Sequence, residues 1–159
     1  MNDDLKIIRT STNNKDFIKL VNALDNELWS ELNEDQSTYD QYNKVPDLAT
    51  AMIIYDDETP VAIGCYKQYN ENTVEIKRMY VIKKYRGKGL SKMVLNELEK
   101  WAIEKEFQFS ILETSIHFTV AQSLYKQSGY VFISNYDQYE GLEESVCMRK
   151  QLVSSTINA

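Results

Sequence analysis

The stretch TVEIKRMYVIKKYRGKGLSKMVL, residues 73–95, constrains this chain more than any other. It reads as a strand, a basic glycine loop and an amphipathic helix in succession. Val74, Ile76, Met79, Tyr80 and Val81 suit a pleated surface. Apolar side chains fall at 74 and 76, then at 79 and 81. That three-residue step switches the parity of the buried face, and one extra residue in a β-bulge explains it. Lys83, Lys84, Arg86, Gly87, Lys88 and Gly89 follow. Leu90, Met93, Val94, Leu95, Leu98, Trp101 and Ala102 then recur at helical spacing. Glycines opening a helix leave backbone N–H groups open to an anion, and the helix N-terminus adds about half a positive charge. The loop is therefore expected to cradle phosphate.

Three glycine-loop patterns compete for it. A P-loop, G-x-x-x-x-G-K-[ST], fails at both ends: Ile82 lies five before Gly87, and Gly89 follows Lys88. The dinucleotide pattern G-x-G-x-x-G has Gly87 and Gly89 but Lys92 at its last position. The third pattern is R-x-x-G-x-[GA]. Arg86 and Gly89 fill it, with Ser91 in place of the usual Gly or Ala. Its flanks add four further matches. Glu75 lies fourteen residues before Gly89, in the preceding strand. Leu124 to Tyr130 reads L-Y-x-x-x-G-Y. Leu112-Glu113-Thr114 and the tail Ser145 to Lys150 complete the set.

With these four segments the chain resembles the GNAT superfamily of N-acetyltransferases, over residues 5 to 152. The resemblance to a bacterial small-domain subgroup implies a mixed α/β fold with a central, mostly antiparallel sheet flanked by helices. It implies acetyl-CoA as cosubstrate and an amine-bearing acceptor, a small molecule or peptide, attacked directly in a ternary complex. It also implies roles. Glu75 stands where many relatives carry a general base, and Tyr125 where a tyrosine lies near the acyl-CoA sulfur. The Met79 N–H would polarise the thioester carbonyl, and Tyr80 and Val81 would pair with the pantetheine arm. Arg86, Gly87, Lys88, Gly89, Leu90 and Ser91 would hold the pyrophosphate. Dimers are common in the family, so a homodimer is one option.

At 159 residues the chain is expected to form one domain, 1–159, with its core over 5–152 and a frayed tail at 153–159. No apolar run approaches the roughly 18 to 20 residues of a membrane span. The start MNDDLKIIRT lacks the pattern of a signal peptide, so a cytoplasmic protein away from membranes is expected. Cys65 and Cys147 show no metal or disulfide spacing and read as reduced core cysteines. With one His, no metal site is expected. The net charge of −6 argues against nucleic acid, which needs a broad basic surface. Four of the 18 basic residues, Lys83, Lys84, Arg86 and Lys88, nevertheless fall within six consecutive positions. A solvated loop would explain an isolated run of this kind. On a helix start in an acidic protein, it suits a local polyanion site such as coenzyme A would fill. The acidic surface elsewhere would attract a cationic substrate.

Along the chain, Lys6–Thr10 reads as a strand, and Asn13 or Asn14 caps a helix to about Glu31. Phe17, Leu20, Val21, Leu24, Leu28 and Leu32 form its apolar stripe. A polar connection with Thr38, Tyr39, Tyr42 and Pro46 follows. Ala51–Tyr55 and Val61–Tyr69 read as strands joined through residues 56–60. The glycine-loop helix is expected to reach Glu106, followed by a strand over Phe107–Glu113 and a helix over Phe118–Gln127 ending at Gly129. Tyr130–Ile133 and Ser145–Lys150 read as the last strands.

The chemistry needs an amine to lose a proton, and a free alkyl amine has a pKa of about 10. A buried carboxylate can take it, which is the role open to Glu75; an exposed strand Glu paired with Lys77 is the alternative. Tyr125 could assist a leaving thiolate or simply pack. His117 reads as a surface or capping residue, and Trp29 and Trp101 as core. Glu113 and Thr114 either line the cleft or are structural. Tyr39, Tyr42, Tyr66, Tyr136 and Tyr139 could line an acceptor pocket or be half-buried strand residues. Neither cysteine has a partner base in the sequence that argues for an acyl-enzyme. A non-catalytic acyl-CoA-binding sensor or partner subunit is the rival reading, encouraged by Ser91. A nucleotide-binding module is disfavoured by the two failed glycine patterns.

Overall fold

The computed structural model describes residues 4–32 and 48–153. The strands are β1 (Leu5–Thr10), β2 (Ala51–Asp56), β3 (Thr59–Gln68), β4 (Thr73–Val81), β5 (Phe109–Ser115), β6 (Val131–Ile133) and β7 (Ser145–Gln151). The helices are α1 (Lys15–Leu32), α2 (Leu90–Glu104) and α3 (Thr119–Gln127). The seven strands form one sheet in the order β1-β2-β3-β4-β5-β7-β6. The pairs β1/β2, β2/β3, β5/β7 and β6/β7 are antiparallel, whereas β4 and β5 are parallel. A parallel pair needs a long crossover, and α2 supplies it. The expected mixed, mostly antiparallel sheet with helices is the fold observed.

The chain divides into two compact units, Met1–Lys67 with Lys77–Leu98, and Gln68–Ile76 with Glu99–Ala159. In the first unit the β2–β3 register sorts side chains to two faces. Ala51 and Cys65 are partners, as are Ile53 and Ile63. They pack with Phe17 and Leu20 of α1 into one buried cluster. Asn14 caps α1, its Oδ1 accepting from the Asp16 N–H at 2.8 Å and the Phe17 N–H at 3.3 Å. A cap of this kind stabilises by about 1 kcal/mol. On the other face Gly64 pairs with Met52. A Cβ at Gly64 would lie 2.6 Å from Val94 Cγ1 and 2.7 Å from Met79 Sδ. Glycine there lets α2 close onto β3, where Leu90, Val94, Leu95 and Leu98 are buried.

The parity switch in β4 has a physical counterpart. Arg78 adopts φ +57°, left-handed backbone inside the strand, between buried Ile76 and buried Val81. Its guanidinium Nη1 donates to Asp25 Oδ1 of α1 at 2.6 Å. That ion pair holds a backbone state costing on the order of 1 kcal/mol.

In the second unit Ile111, Leu112, Tyr125, Tyr130 and Met148 are buried, on β5, α3, the turn after it and β7. Glu99, 7% exposed, is fully engaged. Lys150 Nζ donates to its Oε1 at 2.7 Å, and the Tyr130 hydroxyl donates to its Oε2 at 3.0 Å. A buried charge is tolerated only with partners of this quality. Gly129, at φ +99°, ends α3 as the sequence suggests.

Several boundaries differ from expectation. The β2–β3 hairpin turns on Asp57 and Glu58 alone, with Asp57 left-handed, so both strands run further into the turn. β3 stops at Gln68 because the Tyr69 N–H turns back to the Thr73 carbonyl. α2 stops at Glu104, and Glu106 takes φ +71°. Phe107 and Gln108 are connection, and β5 begins at Phe109. Trp101, expected in the core, is only half-buried. The polar connection with Thr38, Tyr39, Tyr42 and Pro46, the side chains of Trp29 and Leu32, and residues 154–159 lie outside the described residues.

Candidate active site

The first unit carries the glycine loop. Val81 ends β4, a short 3-10 turn covers Lys83–Tyr85, and Gly89 accepts the first helical bond of α2 from Met93. Gly87 and Gly89 have φ of +79° and +83°, and a Cβ on either would meet nothing within 4 Å. The left-handed backbone explains why glycine stands at both positions. Leu90, Ser91 and Lys92 then open α2, where N–H groups lack intrahelical acceptors. Leu90 is buried, while Gly87, Lys88 and Gly89 are exposed and Ser91 is half-exposed.

Arg86 is engaged in a way no local motif announces. Its Nε donates to the Val81 carbonyl at 2.9 Å, and Nη2 donates to both Glu27 carboxylate oxygens at 2.8 and 2.7 Å. The guanidinium also lies 5.5 Å from the Tyr80 ring centre. Tyr80 hydrogen-bonds Glu27 in turn at 3.3 Å, and burial and Glu27 raise its phenol pKa. Lys84 and Lys88 flank the Tyr85 ring at 5.7 and 5.1 Å, and the Tyr85 hydroxyl is bonded to Asp56.

The second unit carries the carboxylates and tyrosines. Glu75 is 1% exposed and accepts a 2.5 Å hydrogen bond from the Tyr136 hydroxyl on Oε2. The alternative of an exposed strand Glu therefore gives way to a buried one. Tyr136 sits edge-on to both Tyr69 and Tyr139. The Tyr69 hydroxyl donates to Asp137 Oδ2 at 2.8 Å, and that bond pushes its phenol up to about 12. Asn135 Nδ2 donates to the carbonyls of Tyr139, Leu142 and Ser145, pinning the 135–145 segment that carries Tyr136. Glu113 accepts from Ser145 Oγ at 2.7 Å.

Burial pushes the Cys147 thiol up to about 11 despite a backbone hydrogen bond at Tyr136, with Glu113 and Glu75 adding to the shift. A thiol so disfavoured as thiolate is a poor nucleophile. Tyr125 is buried, edge-on to Tyr130, and burial with Glu113 drives its phenol well above the usual range. It therefore keeps its proton at any working pH. His117 is exposed and bonded to Glu144, as a surface residue. Tyr66 and Tyr139 are buried rather than half-buried. Among the described residues no group of three or more His, Cys, Asp or Glu could hold a metal ion. No helix among them is long and apolar enough to cross a membrane.

The fold is that of the acyl-CoA N-acyltransferases. The chain belongs to the GNAT family of acetyltransferases, whose model matches residues 15–130. It is 28% identical over 109 residues to human N-acetylaspartate synthetase, covering 68% of this chain and 36% of that protein. The chain thus spans about a third of the length of the curated relatives it matches. Among solved structures, a Klebsiella pneumoniae protein proposed to be an acyl-CoA N-acyltransferase superposes with a TM-score of 0.74 at 27% identity, over 94% of this chain and 97% of that one. A Thermoplasma acidophilum N-acetyltransferase in complex with coenzyme A shares the fold at 17% identity, with a TM-score of 0.70 over 92% and 98% of the two chains.

Proposed function

We propose that this protein transfers an acetyl group from acetyl-CoA to a primary amine, by direct attack within a ternary complex. The observation that carries the reading is a buried carboxylate, Glu75, on the strand that leads into the open glycine loop. Gly87 and Gly89 leave room for a diphosphate, and the helix start offers it N–H donors and a positive dipole end. Arg86, Lys88, Leu90 and Ser91 complete this cradle, and the Ser91 hydroxyl adds a donor that Gly or Ala lacks. The Met79 N–H is the donor assigned to the thioester carbonyl, with Tyr80 and Val81 along the pantetheine arm.

Glu75 is the base that relieves the acceptor of its proton. The amine nitrogen then attacks the acyl carbon, the C–N bond forms, and the C–S bond breaks. Tyr125 keeps its proton, so its part is a hydrogen bond to the departing sulfur rather than outright proton donation. The raised Cys147 thiol supports transfer without an acyl-enzyme. The name of the human relative puts aspartate first among amines to try.

The test is amine-dependent release of free thiol from acetyl-CoA, run over a panel of amino acids, polyamines and peptides. Glu75→Gln should lose ~10²–10⁴-fold in turnover with acetyl-CoA affinity intact. Tight acetyl-CoA binding without thiol release on any amine would favour a non-catalytic binding protein instead.

A further inference from the structure

The pair Glu75 and Tyr136 divides burial unequally. Glu75 is 1% exposed, whereas Tyr136, whose hydroxyl donates to Glu75 Oε2 at 2.5 Å, is only partly buried. Of the pair, the tyrosine is the member that keeps surface in contact with solvent. We propose that Tyr136 is a catalytic residue, a proton relay that receives the acceptor's proton and passes its own to Glu75. The inference rests on the acetyltransferase reading with Glu75 as base.

The step balances. An ammonium N–H proton moves to Tyr136 Oη as the Tyr136 O–H proton moves to Glu75 Oε2, leaving a neutral amine, a neutral carboxyl and an unchanged phenol. The amine then attacks the thioester. Its second N–H proton ends on the departing sulfur, and Glu75 later returns its proton to solvent by the same route.

The surroundings suit a relay that never rests as phenolate. Burial, the Glu75 charge and the hydrogen bond all push the Tyr136 phenol far up, with Cys147 and Tyr139 adding to it. Glu113 from β5, Cys147 from β7, and Tyr139, Asp137 and Tyr69 from the flanking turns are titratable groups that act on this cluster. Burial and the Glu75 charge disfavour phenolate, so a concerted transfer is the route that fits. The 2.5 Å separation is that of a charge-assisted O–H···O bond, short enough for the proton to cross. The rings of Tyr69 and Tyr139, edge-on at 5.5 Å, hold the phenol in line.

The experiment uses Tyr136→Phe, Glu75→Gln and the double variant. Melting temperature, acetyl-CoA affinity and full pH–rate profiles are measured for each, with the proton inventory of the unaltered enzyme in mixed light and heavy water. The relay predicts that Tyr136→Phe loses 10²-fold or more at every pH, plateau included, with acetyl-CoA affinity unchanged. The double variant should be no worse than Glu75→Gln, because the two act as a unit. The inventory should curve, as two protons in flight require. A Tyr136→Phe enzyme that keeps its plateau rate and only shifts its acid limb would overturn the relay and leave Tyr136 as a positioning residue. Additive losses, or a linear inventory, would overturn it too. If Glu75→Gln alone is fully active, the base assignment itself falls, which separates that failure from a failure of the relay. Should Tyr136→Phe not fold, the inventory decides.

Discussion

Arg86 of the glycine loop holds Glu27 of α1, its Nη2 lying 2.8 and 2.7 Å from the two carboxylate oxygens. The same guanidinium is the one the loop would turn to a phosphate. A carboxylate already seated on it is a competitor, and an exposed pair of this kind is worth only about 0–1 kcal/mol. Glu27→Gln should therefore tighten acetyl-CoA binding by up to about fivefold, the most that such a pair energy allows. Arg86→Glu should weaken binding, more at low salt than at high. Calorimetry at two ionic strengths measures both. Weaker binding in Glu27→Gln would mean that Glu27 aims the guanidinium instead of occupying it.

Gly64 tests the closeness of α2. An added methyl would meet Val94 Cγ1 and Met79 Sδ below 3.0 Å. Gly64→Ala should cost about 1–3 kcal/mol, the usual range for overpacking a tight core. The urea midpoint reports it, with an unchanged slope expected if the native state stays compact. A midpoint equal to that of the parent would show that α2 can move aside.

Tyr125→Phe keeps the ring against Tyr130 and removes only the hydroxyl. If that hydroxyl steadies the leaving sulfur, turnover falls while acetyl-CoA affinity stays, because the bond strengthens mainly in the transition state. The loss should shrink with a donor whose thiol is more acidic. Full turnover with a lowered melting temperature would leave Tyr125 as a packing residue.

Cys147 gives a pH signature. Its thiol is raised in the fold from 9.0 to about 11, so the folded state holds the proton more tightly than the unfolded chain. The contribution is fully present below pH 9 and is lost as pH rises through about 11. Chemical denaturation at pH 8, 9.5 and 11 should show stability falling over that window, and Cys147→Ser should flatten this part of the curve. At pH 8 the native thiol should resist iodoacetamide and react only on unfolding. Fast alkylation in the native state would contradict its burial.

What this sequence determined by itself is local in origin. Alternation in β2 and β3, the helical repeat of α2, the Asn14 cap and the Gly129 stop depend on residues within a few positions of each other. So does the irregularity at Arg78, which the apolar parity of β4 marks. The glycine loop was legible for the same reason, since left-handed backbone at Gly87 and Gly89 excludes most other residues. Glu75 was legible as a candidate, but not its burial, which depends on chain that returns after β5 and β6. The two pairings that matter most join residues far apart: Arg86 with Glu27 across 59 positions, and Tyr136 with Glu75 across 61. No periodicity links such residues, because a side-chain hydrogen bond reaches only about 3 Å and depends on where two distant backbones are brought. Tertiary structure decided that Arg86 is already held by a carboxylate, and that Tyr136, open in the sequence to pocket lining or simple half-burial, bonds the proposed base.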